Sequence, residues 1–389
     1  MVPIAKLKIL YLLTKDDVGG AQKYVADLAA HLDQNRFEPK ILCGGRDVRW
    51  LSNRVLPWMF FVNDWLAIIE LVRVFRRERP DIIHLNSSKA GVLGSFATGL
   101  YKLINQTTNK PKTIFTAHGW VFNPTNYVAA PIRWCYVMIH WFAAHFQDTI
   151  INVSAYDREL ALHYKIAAAH KLVTIHNGID PNIKFLSRTE ARAEIIRRLQ
   201  TLCPKPYTLN PACPWVGSIG RITKEKDYGT LLEAARLVPD AYFFVIGAGP
   251  EEENLRLTTD DLQLTNRLFF IPPAGDDARF LSAFDVFVLP SIKEGLPYVL
   301  LEAMASRVPT VVSDAGGMPE VVEHEISGLV VRKRDPRSLG NTIAAFLADK
   351  EKAIRYASAA RSRVLTNFTL EQMVATTARV YEEHLRNSQ

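Results

Sequence analysis

The chain has 389 residues, 48% of them apolar, and a formal net charge of +7. That length exceeds what one hydrophobic core covers, so two domains of about 180 residues each are expected and a disordered chain is excluded. The four cysteines, Cys43, Cys135, Cys203 and Cys213, form no CxxC pair, which argues against a metal site or disulfide framework and for a reducing cytosol.

In chain order, "MVPIAKLKILYLL" reads as a first strand, because it lacks the apolar length and small-residue cleavage site of a signal peptide. A helix "GGAQKYVADLAAHL", a strand "KILCG", a helix near 64–78, "DIIHL", "AGVLGSFATGLYKL", "KTIFTAH", a helix in the 130s and "TIINVS" follow. Repeated βα units with β-branched strands specify a parallel sheet covered on both faces. After "IHNGID" the rhythm breaks for a charged helix and a proline-rich run, then restarts with "PWVGSIG", "YGTLLEAARLV", "AYFFVIG", "RLFFI", "DVFVLP", "VLLEAMA", "PTVVS" and "SGLVV". The expected fold class is therefore α/β, with two doubly wound Rossmann-like domains, residues 1–182 and 183–368, and a ligand cleft between them. The helix at about 369–386 follows other helices with no strand after it, and is expected to cross back onto the first domain.

Charge is uneven. Residues 1–182 hold 21 Lys and Arg against 14 Asp and Glu, and between Asp81 and Asp148 there is no acidic residue at all. In that interval Lys89, Lys102, Lys110, Lys112 and Arg133 alternate with Trp120, Phe122, Tyr127, Trp134 and Trp141. Two readings stand side by side: residues 82–147 suit an anionic membrane surface, or they are buried helix whose bases solubilise its edges. The longest apolar stretch, residues 127–146, is interrupted by Pro131, Arg133, His140 and His145, so no transmembrane segment is expected. No nucleic-acid recognition element accompanies the charge, and a nucleic-acid partner is not expected.

Ligands of open parallel sheets bind beyond the carboxyl ends of strands, so the loops there are the candidates. "GSIGRITKEKD" sets Gly217 and Gly220 beside Arg221, Lys224 and Lys226; small residues admit a ligand to the backbone, and an arginine with a lysine suits a diphosphate. "SIKEGLPYVLLEAMA" starts a helix near Pro297, so the amides of Gly295 and Leu296 and the helix dipole favour phosphate. Glu302, inside that helix, suits a ribose diol, or is an ordinary surface glutamate. Glu294, before it, suits sugar hydroxyls, or is a partner for the helix dipole. "SDAGGMPEVV" reads as structural support. "GAGPEEE" has Glu252 where a dinucleotide fingerprint needs glycine, which counts against NAD. In the first half, Gly19 and Gly20 open a helix directly after the first strand, and His118 in "FTAHGW" ends a strand facing the cleft. His84 ends another strand, with Ser87 and Ser88 as caps for the helix that follows.

Taken together, "GGAQ", "TAHGW", "HNGID", "GR" followed by a lysine, "GAGPE", "VLPSIKEGLP", "LLEAMA" and "GGMPEVV" stand in the order found in family 4 glycosyltransferases, which the chain resembles nearly end to end. The resemblance implies the GT-B architecture and a retaining, metal-independent transfer from a nucleotide-diphosphate sugar, a UDP-sugar first, with no cofactor. It implies that Arg221 and Lys226 stabilise the departing diphosphate with the amides near Gly295 and Leu296, that Glu302 holds the ribose and Glu294 the donor sugar. Gly19 and Gly20 would line the phosphate and acceptor side, Gly220 the donor loop, and His118 the region of the reacting carbon. Similar members build cell-surface glycans, which points to a glycan or lipid-linked acceptor and to a cytoplasmic protein at the inner face of the membrane. The chain departs from the family pattern at Asp227, where glycine is usual after the lysine and a tighter loop is expected, at Pro272 and Pro273, and in a short connection between "LCGG" and "NDWLAIIE". A nucleotide-sugar-binding protein without turnover and a nucleotide-sugar epimerase are the rival readings.

Overall fold

The computed structural model describes residues 6–15, 19–51, 62–105, 110–202 and 209–386. Cys203, and most of the connection between "LCGG" and "NDWLAIIE", lie outside them. The chain divides into two compact units, one running to Asn177 and resuming at Leu370, the other Gly178–Thr369. The division falls at 177/178, a few residues before the expected 182/183, because Ile179 is tied to the end of the second unit: its N–H donates to the Phe368 carbonyl.

In the first unit, strands β1 (Leu7–Leu13), β2 (Phe37–Cys43), β3 (Ile82–Asn86), β4 (Lys112–Ala117), β5 (Thr149–Asn152) and β6 (Leu172–Thr174) alternate with helices α1 (Gly20–His31), α2 (Val62–Glu78), α3 (Ser88–Ile104), α4 (Ala130–Ala144) and α5 (Ala155–His163). The sheet is parallel, in the order β2-β1-β3-β4-β5-β6. β3 is buried along its whole length and β4 at all but its first residue, as a sheet covered on both faces requires. The sequence pattern did not reveal β6, whose three residues are too few for any periodicity.

The second unit begins with α6 (Arg188–Leu202), then β7 (Trp215–Ile219), α7 (Tyr228–Arg236), β8 (Tyr242–Ile246), α8 (Glu252–Asp261), β9 (Leu268–Ile271), β10 (Val286–Leu289), α9 (Tyr298–Ala305), β11 (Thr310–Ser313), α10 (Met318–Val321), β12 (Leu329–Val331), α11 (Pro336–Ala348) and α12 (Lys350–Asn367). Its parallel order is β12-β11-β10-β7-β8-β9. The direction of winding reverses between β7 and β10, and that switch point opens a crevice at the strands' carboxyl ends. In the first sheet the reversal lies between β1 and β3.

The last helix, α13 (Leu370–Arg386), belongs to the first unit. Its Tyr381 is fully buried, and its hydroxyl lies 2.6 Å from His84 Nδ1 and 3.0 Å from the Tyr11 hydroxyl. His84 Nε2 meets Thr116 Oγ1 at 2.7 Å. His84 is thus a structural histidine inside the sheet, satisfied at both nitrogens, and burial depresses its pKa to about 3. Ser87 does not cap α3 as expected: it makes no capping bond there, its φ is +82°, and its hydroxyl meets that of Thr14. Among the described residues, no helix is long and apolar enough to cross a membrane.

Candidate functional site

The loops after β7, β10 and β11 meet at the switch point of the second unit. The Ile292 N–H donates to the Glu225 carbonyl at 2.9 Å, and the Gly317 N–H to the Gly295 carbonyl at 2.8 Å. Gly316 is needed where it stands: its φ is +55°, and a Cβ there would come within 1.8 Å of the Glu294 carbonyl oxygen. "SDAGG" therefore buttresses the loop that carries Glu294. Gly217 is not a ligand-facing glycine, because it lies inside β7 and a Cβ would strike the Phe284 ring at 2.3 Å. Gly220 does face the loop, with Lys226 and the Tyr228 hydroxyl as its neighbours.

Lys226 and Glu294, expected to serve diphosphate and sugar separately, form one ion pair: Lys226 Nζ is 2.6 Å from Glu294 Oε1, with the side chains 13% and 12% exposed. Ser291 donates its hydroxyl to the same oxygen at 2.6 Å. Glu294 is thus held by a lysine and a serine from the switch-point loops, rather than serving the dipole of α9. Arg221 is different, 72% exposed, with its guanidinium 3.9 Å from Glu225. Charge at the site therefore comes in two forms, a nearly buried pair and an exposed cation. Asp227 takes the left-handed conformation, φ +50°, ψ +45°. A short polar side chain tolerates that region, and Asp227 secures it by accepting from Thr230 Oγ1 at 2.7 Å. Aspartate keeps a glycine-type turn here.

Gly295 and Leu296 precede α9, whose N-cap is Pro297, and Leu296 is buried. Glu302, one turn inside α9, is 8% exposed, so it is not a surface glutamate. A carboxylate stays in such a place only with partners.

A second group forms in the first unit. Gly19 and Gly20 open α1, with Gly19 extended at φ −173°; Asp16, Asp17 and Val18 lie outside the described residues. His118 follows β4, partly buried, with its ring edge-on to Tyr24 at 4.9 Å. Asn86 Nδ2 donates to the His84 carbonyl, which turns Asn86 Oδ1 toward His118 Nε2 at 3.1 Å. Nε2 therefore carries the proton, and Nδ1 is the acceptor. Burial lowers the pKa of His118 to about 3, so the ring is neutral at physiological pH. It offers an acceptor for an O–H donor, not a cation.

Ser291 and Asn86 are the residues that sequence reasoning missed. Ser291 stands three before Glu294 and Asn86 ends a strand, but their roles come from partners in space. Among the described residues, no group of three or more His, Cys, Asp or Glu is placed to hold a metal ion.

Comparison with known proteins gives this arrangement a family. The model of glycosyl transferases group 1 matches residues 205–363, and that of Glycosyltransferase Family 4 matches residues 18–183. The chain is 24% identical over 387 residues to the UDP-Gal:alpha-D-GlcNAc-diphosphoundecaprenol alpha-1,3-galactosyltransferase of Escherichia coli, covering 95% of each chain. Sucrose-phosphate synthase from Thermosynechococcus elongatus superimposes with a TM-score of 0.79 at 20% identity, over 98% of this chain and 100% of that one. The HepE protein of Anabaena, solved in complex with UDP, does so with a TM-score of 0.74 at 20% identity, over 97% and 100%. With two parallel six-stranded sheets, a switch-point site in the second, and one family model on each unit, the chain belongs to the family 4 glycosyltransferases of GT-B fold.

Proposed function

We propose that the protein transfers a sugar, with retention, from a nucleotide-diphosphate sugar, a UDP-sugar first, to a hydroxyl of a glycan or lipid-linked acceptor at the cytoplasmic face of the membrane. The observation that carries this reading is the convergence of Arg221, Lys226, Glu294 and the Gly295–Leu296 backbone at the β7/β10 switch point. Support for the donor comes from the UDP bound by HepE, and for the acceptor from the diphosphoundecaprenol in the name of the Escherichia coli relative.

In this reading the second unit binds the donor and the first the acceptor, with no metal or cofactor. Glu302 accepts hydrogen bonds from the ribose diol. Arg221 and Lys226 hold the diphosphate with the amides of Gly295 and Leu296, beside Gly220, and Gly19 and Gly20 line its other side. Glu294, fixed by Lys226 and Ser291, takes the donor sugar's hydroxyls. His118 Nδ1 accepts a hydrogen bond from a hydroxyl near the reacting carbon. The bond from the anomeric carbon to the diphosphate oxygen breaks, the bond to the acceptor oxygen forms on the same face, and the acceptor's proton passes to the leaving phosphate. Catalysis rests on positioning and on preorganised donors, each contributing about 3 kcal/mol.

The test is calorimetric titration of UDP, GDP, ADP and NAD into wild type and Glu302→Ala, followed by turnover of the matching sugar donors with the anomeric configuration read by NMR. One diphosphate should bind, about tenfold or more weaker in the variant, and its sugar should turn over with retention. Binding indifferent to the substitution, preference for NAD, nucleotide binding without turnover, or conversion of the donor with no acceptor would each reject the reading.

A further inference from the structure

Helix α4 is apolar on all sides. Its fifteen residues contain one charged side chain, Arg133, and no acid. The inner face buries Val137, His140, Ala143 and Ala144 against the sheet. The outer face carries Trp134, Met138, Trp141 and Phe142, each between 41% and 59% exposed, at the i, i+4, i+7, i+8 spacing of one stripe. A soluble surface helix has a polar outer face; one that is hydrophobic all round is buried or meets a membrane. The stripe continues onto α3, since the Phe142 ring packs at 5.6 Å from Phe96, and Leu100 and Leu103 lie exposed at the end of α3.

We propose that this face of α4 docks in the interfacial layer of an anionic bilayer. At 1.5 Å per residue the helix is about 22 Å long, shorter than the ~30 Å hydrocarbon core. It therefore lies in the membrane plane, with Trp134 and Trp141 at headgroup depth where tryptophan is enriched. The surrounding charge selects the occupant. No acid occurs between Asp81 and Asp148, and Lys110 is exposed and Lys112 half-exposed at the β4 edge beside the end of α3. A second copy of the chain would bring the same sign to the rim, whereas anionic headgroups complement it. The contact is narrower than composition indicated: Lys89 is committed to Asp64 at 2.8 Å and Lys102 to Asp148 at 3.3 Å. Insertion of the α4 stripe, rather than a layer of lysines, is the main interaction.

The choice of a bilayer rests on the lipid-linked acceptor read above, so the experiment reads the two separately. Full-length protein and the Trp134→Ser/Trp141→Ser variant are sedimented with phosphatidylglycerol/phosphatidylethanolamine vesicles and with pure phosphatidylcholine vesicles, at low salt and at about 1 M salt. UDP binding and the melting temperature are measured on both proteins. Wild type should bind the anionic vesicles, retain part of that binding at high salt, and show tryptophan quenching by brominated lipid. The variant should bind about tenfold or more weakly while keeping its melting temperature and UDP affinity. Three results overturn the proposal: no vesicle binding at low salt, binding equal in the two proteins, or a wild-type dimer that the variant turns into a monomer, which would make the stripe an interface between copies. Loss of UDP binding in both proteins would count against the transferase reading instead, and leaves the vesicle result to decide the membrane proposal.

Discussion

Replacing Lys226 by methionine tests the charge arrangement at its centre. Across 2.6 Å, in an environment where both side chains are under 15% exposed, two unit charges attract by about 6 kcal/mol at an effective dielectric constant of about 20. Desolvating both offsets most of that, so the intact pair adds little net stability. Removing the cation alone leaves the Glu294 carboxylate nearly buried beside the Ser291 hydroxyl, which costs about 3 kcal/mol. For a unit of this size that lowers the melting temperature by about 6–12 °C. Adding Glu294→Gln removes the stranded charge, and the double variant should return to within about 1 kcal/mol of wild type, a coupling of about 2 kcal/mol or more. Calorimetric melting of the four proteins closes the cycle. Sugar transfer should stay at least about 100-fold down in the double variant, because stability returns but neither the Lys226 charge nor the Glu294 carboxylate does. Additive stability changes, within about 0.5 kcal/mol, would refute the reasoning.

Two further outcomes follow from the first unit. Tyr381→Phe strips a partner from both His84 Nδ1 and the Tyr11 hydroxyl, all fully buried, and should cost about 2–4 kcal/mol in urea unfolding; an unchanged midpoint contradicts the buried network. Burial holds His84 at about 3 and His140 at about 4, below the ordinary 6.5, so the unfolded chain takes up protons first and stability falls as pH drops from about 6.5 toward 4. By pH 5 that amounts to about 2 kcal/mol for each; a melting temperature that is flat from pH 7 to 5, or an acid limb unchanged in His140→Phe, contradicts it.

Much of this was legible because burial writes itself into strands. The run "VFVL" is apolar on both faces, and "KTIFTA" is buried at all but its first residue, as a parallel sheet covered on both sides requires. The carboxyl ends of such runs, "WVGSI" and "VFVL" among them, then pointed to Arg221, Lys226 and Glu294 as candidates. The pairing of Lys226 with Glu294 was not legible, since neither residue's sequence neighbours record what another loop brings within 2.6 Å. The conformation of Asp227 was not legible for a related reason: residue type biases φ but does not fix it, and the Thr230 bond holds aspartate where glycine is usual. Composition left residues 82–147 divided between core and membrane surface, because a helix with apolar residues on every side offers no contrast from which to read its facing. Lys89 and Lys102 looked like surface charge only because Asp64 and Asp148, their partners, lie outside the interval.

The return of α13 to the first unit has a consequence for synthesis. The second unit is one uninterrupted stretch, Gly178–Thr369, whereas the first needs residues from Leu370 onward. At about 5–20 residues per second, the ribosome takes roughly 10–40 s to make the stretch between them. Throughout that time His84 and Tyr11 await the hydroxyl of Tyr381. The usual order, in which the N-terminal domain is finished first, is reversed: the first unit is completed only after the second has emerged. A chain that stops before α13 therefore leaves the ribosome with its first unit unfinished, without the hydroxyl that His84 and Tyr11 share.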